Sequence, residues 1–168
     1  MTETGKRGTG ETEKDIAYLR KTIEIAHRSR ERGNHPFGCL LVDAKDQVIL
    51  ESENSFTADG GPGHAETNLA REAAKSFDWD YLATCTLYTS IEPCCMCAGT
   101  VYWSGIGAVV FGVTEARLGD LTGDHPENLT MDLPCRTVFD AGRRSIEVRG
   151  PYPELEDEIL ADHQDFWT

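Results

Sequence analysis

The chain has 168 residues, with 29 Asp or Glu against 16 Lys or Arg, and its net charge at pH 7 is −13. This length suffices for one domain that buries a sizeable core without disulfide bonds. Binding to a nucleic-acid backbone requires clustered Lys and Arg, so the acidic balance disfavours nucleic acid and favours a small, uncharged substrate. Solubility or adaptation to salt would explain the same acidity.

Residues 1–13 are polar and lack the apolar stretch of a signal peptide or membrane anchor, and we predict a disordered tail there. Residues 14–168 are predicted to form a single domain. No apolar run approaches the length of a transmembrane helix. Six Cys without a secretory signal indicate a reducing compartment, by default the cytoplasm, and thiolates that bind metal.

The first half of the chain predicts one long helix, two strands and the start of a second helix. Apolar residues recur at helical spacing from residue 15 to about 32, and Gly33 and Asn34 end this helix. Strands are predicted at 39–42 and from 48 to about 54, on either side of a turn. A Gly-rich loop over 57–63 then leads to a helix that begins at His64.

The second half continues the alternation of strands and helices. A strand at 85–90 leads into a helix that runs to about Trp103, and an apolar strand buried on both faces is predicted at 107–112. A loop from 118 to about 134, a short strand at 145–149 and a helix at 154–166 complete the chain. The order predicts an α/β fold with three layers, α-β-α, around a central mixed sheet.

Two short stretches carry the chemistry, His64-Ala65-Glu66 and Pro93-Cys94-Cys95-Met96-Cys97. One His and two Cys suit a catalytic zinc ion, which takes three protein ligands and leaves the fourth position to water. Cys94 and Cys97 are three residues apart and face the same side of a helix start, for which Pro93 is suited. At helix N-termini, the dipole favours the thiolates and an ionised Glu66.

The pattern H-x-E…P-C-x-x-C is the signature of zinc nucleobase deaminases, in which the Glu is the general acid/base. Zinc lowers the pKa of its water toward neutral, and we expect Glu66 to carry protons from the water to the ring nitrogen and the departing ammonia. The alternative is a structural zinc site with a fourth ligand from Cys39, Cys85, Cys95 or Cys135. That alternative leaves Glu66 without a role.

From Asp15 onward, the chain resembles the cytidine deaminase superfamily, and within it the bacterial guanine deaminases and transfer-RNA adenosine deaminases. The guanine deaminase pattern is matched by Pro36-Phe37-Gly38, Asn54, His64-Ala65-Glu66, Leu87-Tyr88-Thr89-Ser90, Glu92-Pro93-Cys94 and Tyr102-Trp103. The transfer-RNA enzymes are matched equally by Met96-Cys97-Ala98-Gly99 and Val109-Val110-Phe111-Gly112. Their Lys-Thr-Gly-Ala-Ala-Gly-Ser-like run is absent from residues 117–125.

The resemblance implies the α-β-α deaminase fold, one zinc ion per chain, a homodimer, and Asn54 hydrogen-bonded to the base. It also suggests that Asp124 or Glu127 reads the amino and imino groups of guanine, and that Phe166 and Trp167 cover the pocket. Phe37, Ala65 and Trp103 are further candidates for the pocket wall, each with a place in the core as the alternative. Cys95 is expected to be a bystander.

The leading hypothesis is a zinc-dependent hydrolase that deaminates a free nucleobase or nucleoside, with guanine as the best single substrate and purine metabolism as the context. The alternatives are a transfer-RNA wobble adenosine deaminase, a deaminase of cytosine or another amino-heterocycle, and a silent zinc-binding module.

Overall fold

The computed structural model describes residues 8–168. The helices are α1 (Thr9–Glu31), α2 (Phe56–Asp59), α3 (Ala65–Ser76), α4 (Trp79–Leu82), α5 (Cys95–Ser104), α6 (Glu115–Thr122), α7 (Cys135–Asp140) and α8 (Glu156–Leu160), with a 3₁₀ turn at Pro153–Leu155. The strands are β1 (Gly38–Val42), β2 (Val48–Glu53), β3 (Thr86–Ile91), β4 (Ala108–Val113) and β5 (Glu147–Arg149).

The five strands form one mixed sheet in the order β2-β1-β3-β4-β5. Strand β1 is antiparallel to both β2 and β3, whereas β3, β4 and β5 run parallel. All six residues of β4 are buried, as the sequence predicts for an apolar strand covered on both faces. The predicted mixed sheet and the predicted strands are therefore confirmed, within one or two residues at their ends.

Alternate residues of the three central strands β1, β3 and β4 enter different cores, which makes the three layers. Leu41 and Leu87 pack with residues of α3, α5 and α7, whereas Leu40 and Tyr88 pack with residues of α1 and α8. Helix α1 lies very close to the sheet at Gly38. A Cβ at this position would stand 2.5 Å from the backbone nitrogen of Ala26, so there is no room for a larger residue. The predicted α-β-α fold is confirmed.

A buried carboxylate ties α1 to the rest of the domain. Asp15 is fully buried and accepts hydrogen bonds from the hydroxyls of Tyr88 and Tyr152 at 2.8 and 2.5 Å. The Arg149 guanidinium donates two more, at 2.8 and 3.0 Å. Burial raises the pKa of Asp15, but these donors outweigh it and the net shift is downward.

Helix α1 begins at Thr9, six residues before the predicted start, so residues 9–13 are helical and not a disordered tail. The Gly8 carbonyl accepts from the backbone N–H groups of Glu11 and Thr12, and Glu11 lies 3.6 Å from Arg149. The first turn of α1 consists of polar residues, so apolar periodicity does not predict it. The rest of the predicted tail, residues 1–7, lies outside the described residues.

Two further predictions of secondary structure are wrong in part. The predicted loop at 118–134 is helical up to Thr122, because the hydroxyl of Thr114 accepts from the backbone N–H of Arg117 and caps α6. The predicted helix at 154–166 is a 3₁₀ turn followed by α8, which ends at Leu160. None of the helices between residues 8 and 168 combines the length and apolar character needed to cross a membrane.

Candidate active site

The two predicted motifs meet at one edge of the sheet, at the N-terminal ends of α3 and α5. His64 is the residue before α3, and Cys94 is the residue before α5, as the sequence predicts. The Nδ1 atom of His64 lies 3.5 Å from Cys94 Sγ and 3.4 Å from Cys97 Sγ. All three candidate ligand atoms lie within 4.8 Å of one another.

This geometry fits zinc. Typical bonds of about 2.3 Å to sulfur and 2.0 Å to nitrogen in a tetrahedron put the two ligand atoms about 3.5 Å apart. Burial raises the pKa of Cys94, but its contacts with Cys97 and His64 outweigh burial and hold this pKa well below its usual range, which favours a thiolate ligand. Cys39, Cys85, Cys95 and Cys135 lie outside the cluster, so the fourth position has no Cys ligand.

Glu66 lies beside this cluster and is almost completely buried. Its Oε1 accepts a hydrogen bond of 2.5 Å from the Thr89 hydroxyl, and its Oε2 lies 3.7 Å from Cys97 Sγ. Burial raises the pKa of Glu66, and the bond from Thr89 opposes this shift. The position of Glu66 at a helix start predicts a lowered pKa instead, since the helix dipole favours the carboxylate. The local sequence does not reveal that the side chain is buried.

A small cavity adjoins the candidate metal ligands. Its walls are formed by Phe37, His64, Glu66, Ile91, Glu92, Cys94, Glu115 and Asn128. Phe37 is thus placed where the sequence predicts it. Ile91, Glu92, Glu115 and Asn128 were not predicted from the sequence as cavity residues, although two of them carried a signal. Glu92 follows directly after β3 and Glu115 lies two residues after β4, and the carboxyl ends of parallel strands form the usual ligand-binding edge of an α/β sheet.

The two carboxyl groups of Glu92 and Glu115 have different surroundings. Glu92 Oε1 accepts from the backbone N–H of Glu115 at 3.1 Å, and its Oε2 accepts from that of Cys135 at 3.0 Å. Glu92 therefore connects the first residue of α6 to the first residue of α7 through its two carboxylate oxygens. Burial, followed by the negative groups of Cys94 and Glu66, raises the pKa of Glu115 to about 8.

A wider groove of about 260 Å³ shares His64, Cys94, Glu115 and Asn128 with the cavity. Glu127, a predicted substrate residue, lines this groove, and His35 Nε2 lies 3.3 Å from its carboxylate. Asp124, by contrast, lines a separate acidic groove together with Asp120 and Asp132. The prediction that Asp124 is the closest match for reading the base is therefore not supported by its position.

Asn54 and Ala65 are buried near the site without appearing in the cavity wall. The side-chain oxygen of Asn54 accepts from the backbone N–H of Phe56 at 2.8 Å. Trp103 is 79% exposed and lines a surface groove with Tyr102, so it belongs neither to the cavity nor to the core. Both expectations for Trp103, a pocket wall or a place in the core, are therefore wrong, because its side chain lies on the outer face of α5.

The C-terminal aromatic residues pack against their own chain. Trp167 is buried with its ring 4.9 Å from that of His35 and 6.2 Å from that of Phe37, and Phe166 contacts the same His35 ring at 5.8 Å. Both support the Phe37 side of the cavity from behind. Cys95 contacts Met131 at 3.4 Å, outside the metal cluster, in agreement with its expected role as a bystander.

The fold and this site define a zinc-type deaminase, and comparison with known proteins shows its family. The family model described as the cytidine and deoxycytidylate deaminase zinc-binding region matches residues 12–113. The chain belongs to this family, whose members hydrolyse C–N bonds of nucleobases or nucleosides with a bound zinc ion.

Three relatives illustrate the range of the family. A probable cytosine deaminase of Schizosaccharomyces pombe is 40% identical over 156 residues, which is 93% of this chain and 94% of the relative. A tRNA-specific adenosine deaminase of Haemophilus influenzae is 35% identical over 109 residues, 64% of this chain and 63% of the relative. A solved guanine deaminase from Nitrosomonas europaea, at 23% identity, shares the fold with a TM-score of 0.65 over 87% of this chain and 80% of its own.

Proposed function

We propose that this deaminase acts on a free nucleobase and that the base is cytosine, with guanine as the second candidate. The observation that carries this proposal is the small cavity beside His64 and Cys94, whose walls combine the ring of Phe37 with the polar groups of Glu66, Glu115 and Asn128. Apolar walls with a few convergent polar groups are typical of a site for one small heterocycle. Cytosine is favoured because the relative that matches along nearly its whole length is a probable cytosine deaminase.

We propose that His64, Cys94 and Cys97 hold the zinc ion, which supplies Lewis acidity and a water acidified toward neutral pH. Glu66 takes a proton from the attacking water and delivers it to the ring nitrogen beside the reacting carbon. A second proton leaves with the amino group as ammonia, and the carbon becomes a carbonyl. The hydroxyl of Thr89 orients the Glu66 carboxyl through Oε1.

Glu115 and Asn128 are the proposed recognition groups for the rest of the base. A protonated Glu115 donates a hydrogen bond to a ring carbonyl, as cytosine requires, and an ionised Glu115 accepts from ring N–H groups, as guanine requires. Burial of Glu115 favours its protonated form and supports cytosine first. Glu115 as an acceptor inside the cavity is the observation that keeps guanine as a candidate.

A transfer-RNA substrate is disfavoured by the charge around the cavity. Glu115 and Glu127 line the outer groove, and Asp120, Asp124 and Asp132 line the neighbouring one. These carboxylates would repel the phosphates that a polynucleotide brings to the site.

The decisive experiment measures ammonia release by the zinc-loaded protein with cytosine, guanine, adenine, cytidine and a transfer-RNA anticodon stem-loop. We expect turnover of cytosine, and Glu115→Leu, which removes the hydrogen-bond donor, should raise KM for cytosine more than it lowers kcat. Turnover of guanine alone would transfer the proposal to the second candidate. Turnover of the stem-loop alone would refute a free base, and silence with zinc bound would favour a binding module.

We propose further that the chain forms a homodimer, as the resemblance implies. The exposed indole of Trp103 and the groove beside Tyr102 are the kind of surface that association covers. Light scattering after gel filtration tests this directly. We expect a dimer for the unaltered protein and a monomer for Trp103→Glu, and a monomeric unaltered protein would refute the proposal.

A further inference from the structure

The hydroxyl of Thr67 points at one of the candidate zinc ligands. Thr67 is in the first turn of α3, and its Oγ1 donates a hydrogen bond of 3.2 Å to Cys97 Sγ. Cys97 is fully buried, so this sulfur is shielded from solvent. The contact joins α3 to α5 at the metal cluster itself.

The surrounding contact between α3 and α5 is apolar, with Leu69, Ala70 and Ala73 in the same core as Ala98 and Val101. Thr is β-branched and not a strong helix former, and within helices its hydroxyl commonly turns back to a carbonyl of the preceding turn. Here the hydroxyl instead reaches across to the neighbouring helix. Apolar packing alone does not require a hydroxyl at this place.

A hydrogen bond to a thiolate ligand has two consequences for the metal. It fixes the direction of the sulfur lone pairs, and it draws charge from the sulfur, which then donates less to the metal. In other metal sites, removal of the hydrogen bonds that orient ligating His and carboxylate groups lowers metal affinity or activity by about 10- to 100-fold. The two sulfurs here are unequal, because the Thr67 hydroxyl bonds to Cys97 and not to Cys94.

We propose that Thr67 is a positioning residue of the zinc site, whose hydroxyl orients Cys97 and limits the charge that this thiolate donates to the metal. The less neutralised metal then polarises its water and the substrate more strongly. This inference rests on the zinc ligands and is independent of which base is the substrate.

Cobalt(II) substitution gives a test that needs no substrate, because its sulfur-to-cobalt charge-transfer band reports the electron density on the thiolates. In Thr67→Val, which keeps the shape and loses the hydroxyl, we expect this band to move to longer wavelength. Thr67→Ala should show the same shift, and Thr67→Ser, which keeps the hydroxyl, should superimpose on the unaltered protein. Competition with a chelator should show zinc held about 10- to 100-fold less tightly in the Val variant.

Several results would overturn the proposal. A Val or Ala variant that binds one cobalt ion per chain with an unchanged band would show that the hydroxyl does not act on the thiolate. A Ser variant that shifts as much as the Val variant would assign the effect to packing by the Thr67 methyl group. Because two variants lack the hydroxyl, failure of one to fold still leaves the test complete.

Discussion

Glutamine in place of Glu92 tests whether this buried carboxylate holds the wall of the cavity together. Its two oxygens accept from the backbone N–H groups of Glu115 and Cys135, which begin α6 and α7. Glu92→Gln keeps the size of the side chain but leaves a single acceptor oxygen. One of the two buried N–H groups then faces an amide NH₂ and loses its partner.

The expected cost follows from the kind of bond that is lost. A hydrogen bond to a charged group contributes about 1.5–3 kcal/mol, and an unsatisfied buried donor costs about 1–3 kcal/mol. The positive ends of the α6 and α7 backbones also lose a negative charge. We therefore expect Glu92→Gln to lower the free energy of unfolding of the zinc-loaded protein by about 2 kcal/mol.

Urea unfolding followed by circular dichroism measures this difference, with Glu158→Gln as the matched control. Glu158 forms an exposed ion pair with Arg20 at 3.1 Å, so its loss should cost less than about 1 kcal/mol. Since Glu92 also holds the backbone of Glu115, KM should rise while zinc content stays at one per chain. A Glu92→Gln protein as stable as the Glu158→Gln control would refute this reasoning.

Three further predictions concern single side chains. Glu66→Ala should retain zinc, measured by atomic absorption, and lose about a hundred- to ten-thousand-fold in turnover; loss of zinc would make Glu66 structural. Burial lowers the pKa of His163 to about 4, so the folded chain binds fewer protons there than the unfolded chain, and stability should fall as pH drops from about 6.5 toward 4; His163→Gln should flatten this slope in unfolding curves. The lowered pKa of Asp15 affects stability at more acidic pH. The stability that the ionised Asp15 contributes is present above its usual pKa near 3.8 and is lost as pH falls through the lower folded value. Asp15→Asn should unfold more readily at pH 7 and lose less stability in acid, and an unchanged acid slope would contradict the role of Asp15.

Local sequence was sufficient to predict the candidate metal ligands, which the structure brings together, and most of the fold. His64, Cys94 and Cys97 are recognisable because their spacing places each of them at a helix start after a strand or loop, and such starts hold anions and thiolates. The strands were equally predictable, because a short apolar run between turn residues indicates a buried strand. Both signals depend on neighbours in the chain.

Tertiary structure decided the walls of the cavity. Glu115 lines the cavity because only one residue separates the end of β4 from the start of α6. This helix start and its Thr114 cap were not predicted from the sequence. Thr67 became a partner of Cys97 only because α3 and α5 pack side by side. Asp124 and Trp103 have suitable chemistry, but the direction in which their elements face takes them away from the cavity.

The sequence by itself predicted a zinc site of one His and two Cys with a Glu beside it, and an α/β core with a buried strand. The tertiary structure decided which carboxyl groups line the cavity, and that Phe166 and Trp167 pack against His35 of their own chain. The physical reason is one of range. Helix starts and strands follow from periodicity and capping among adjacent residues, whereas burial, pKa and the composition of a cavity follow from which distant segments pack together.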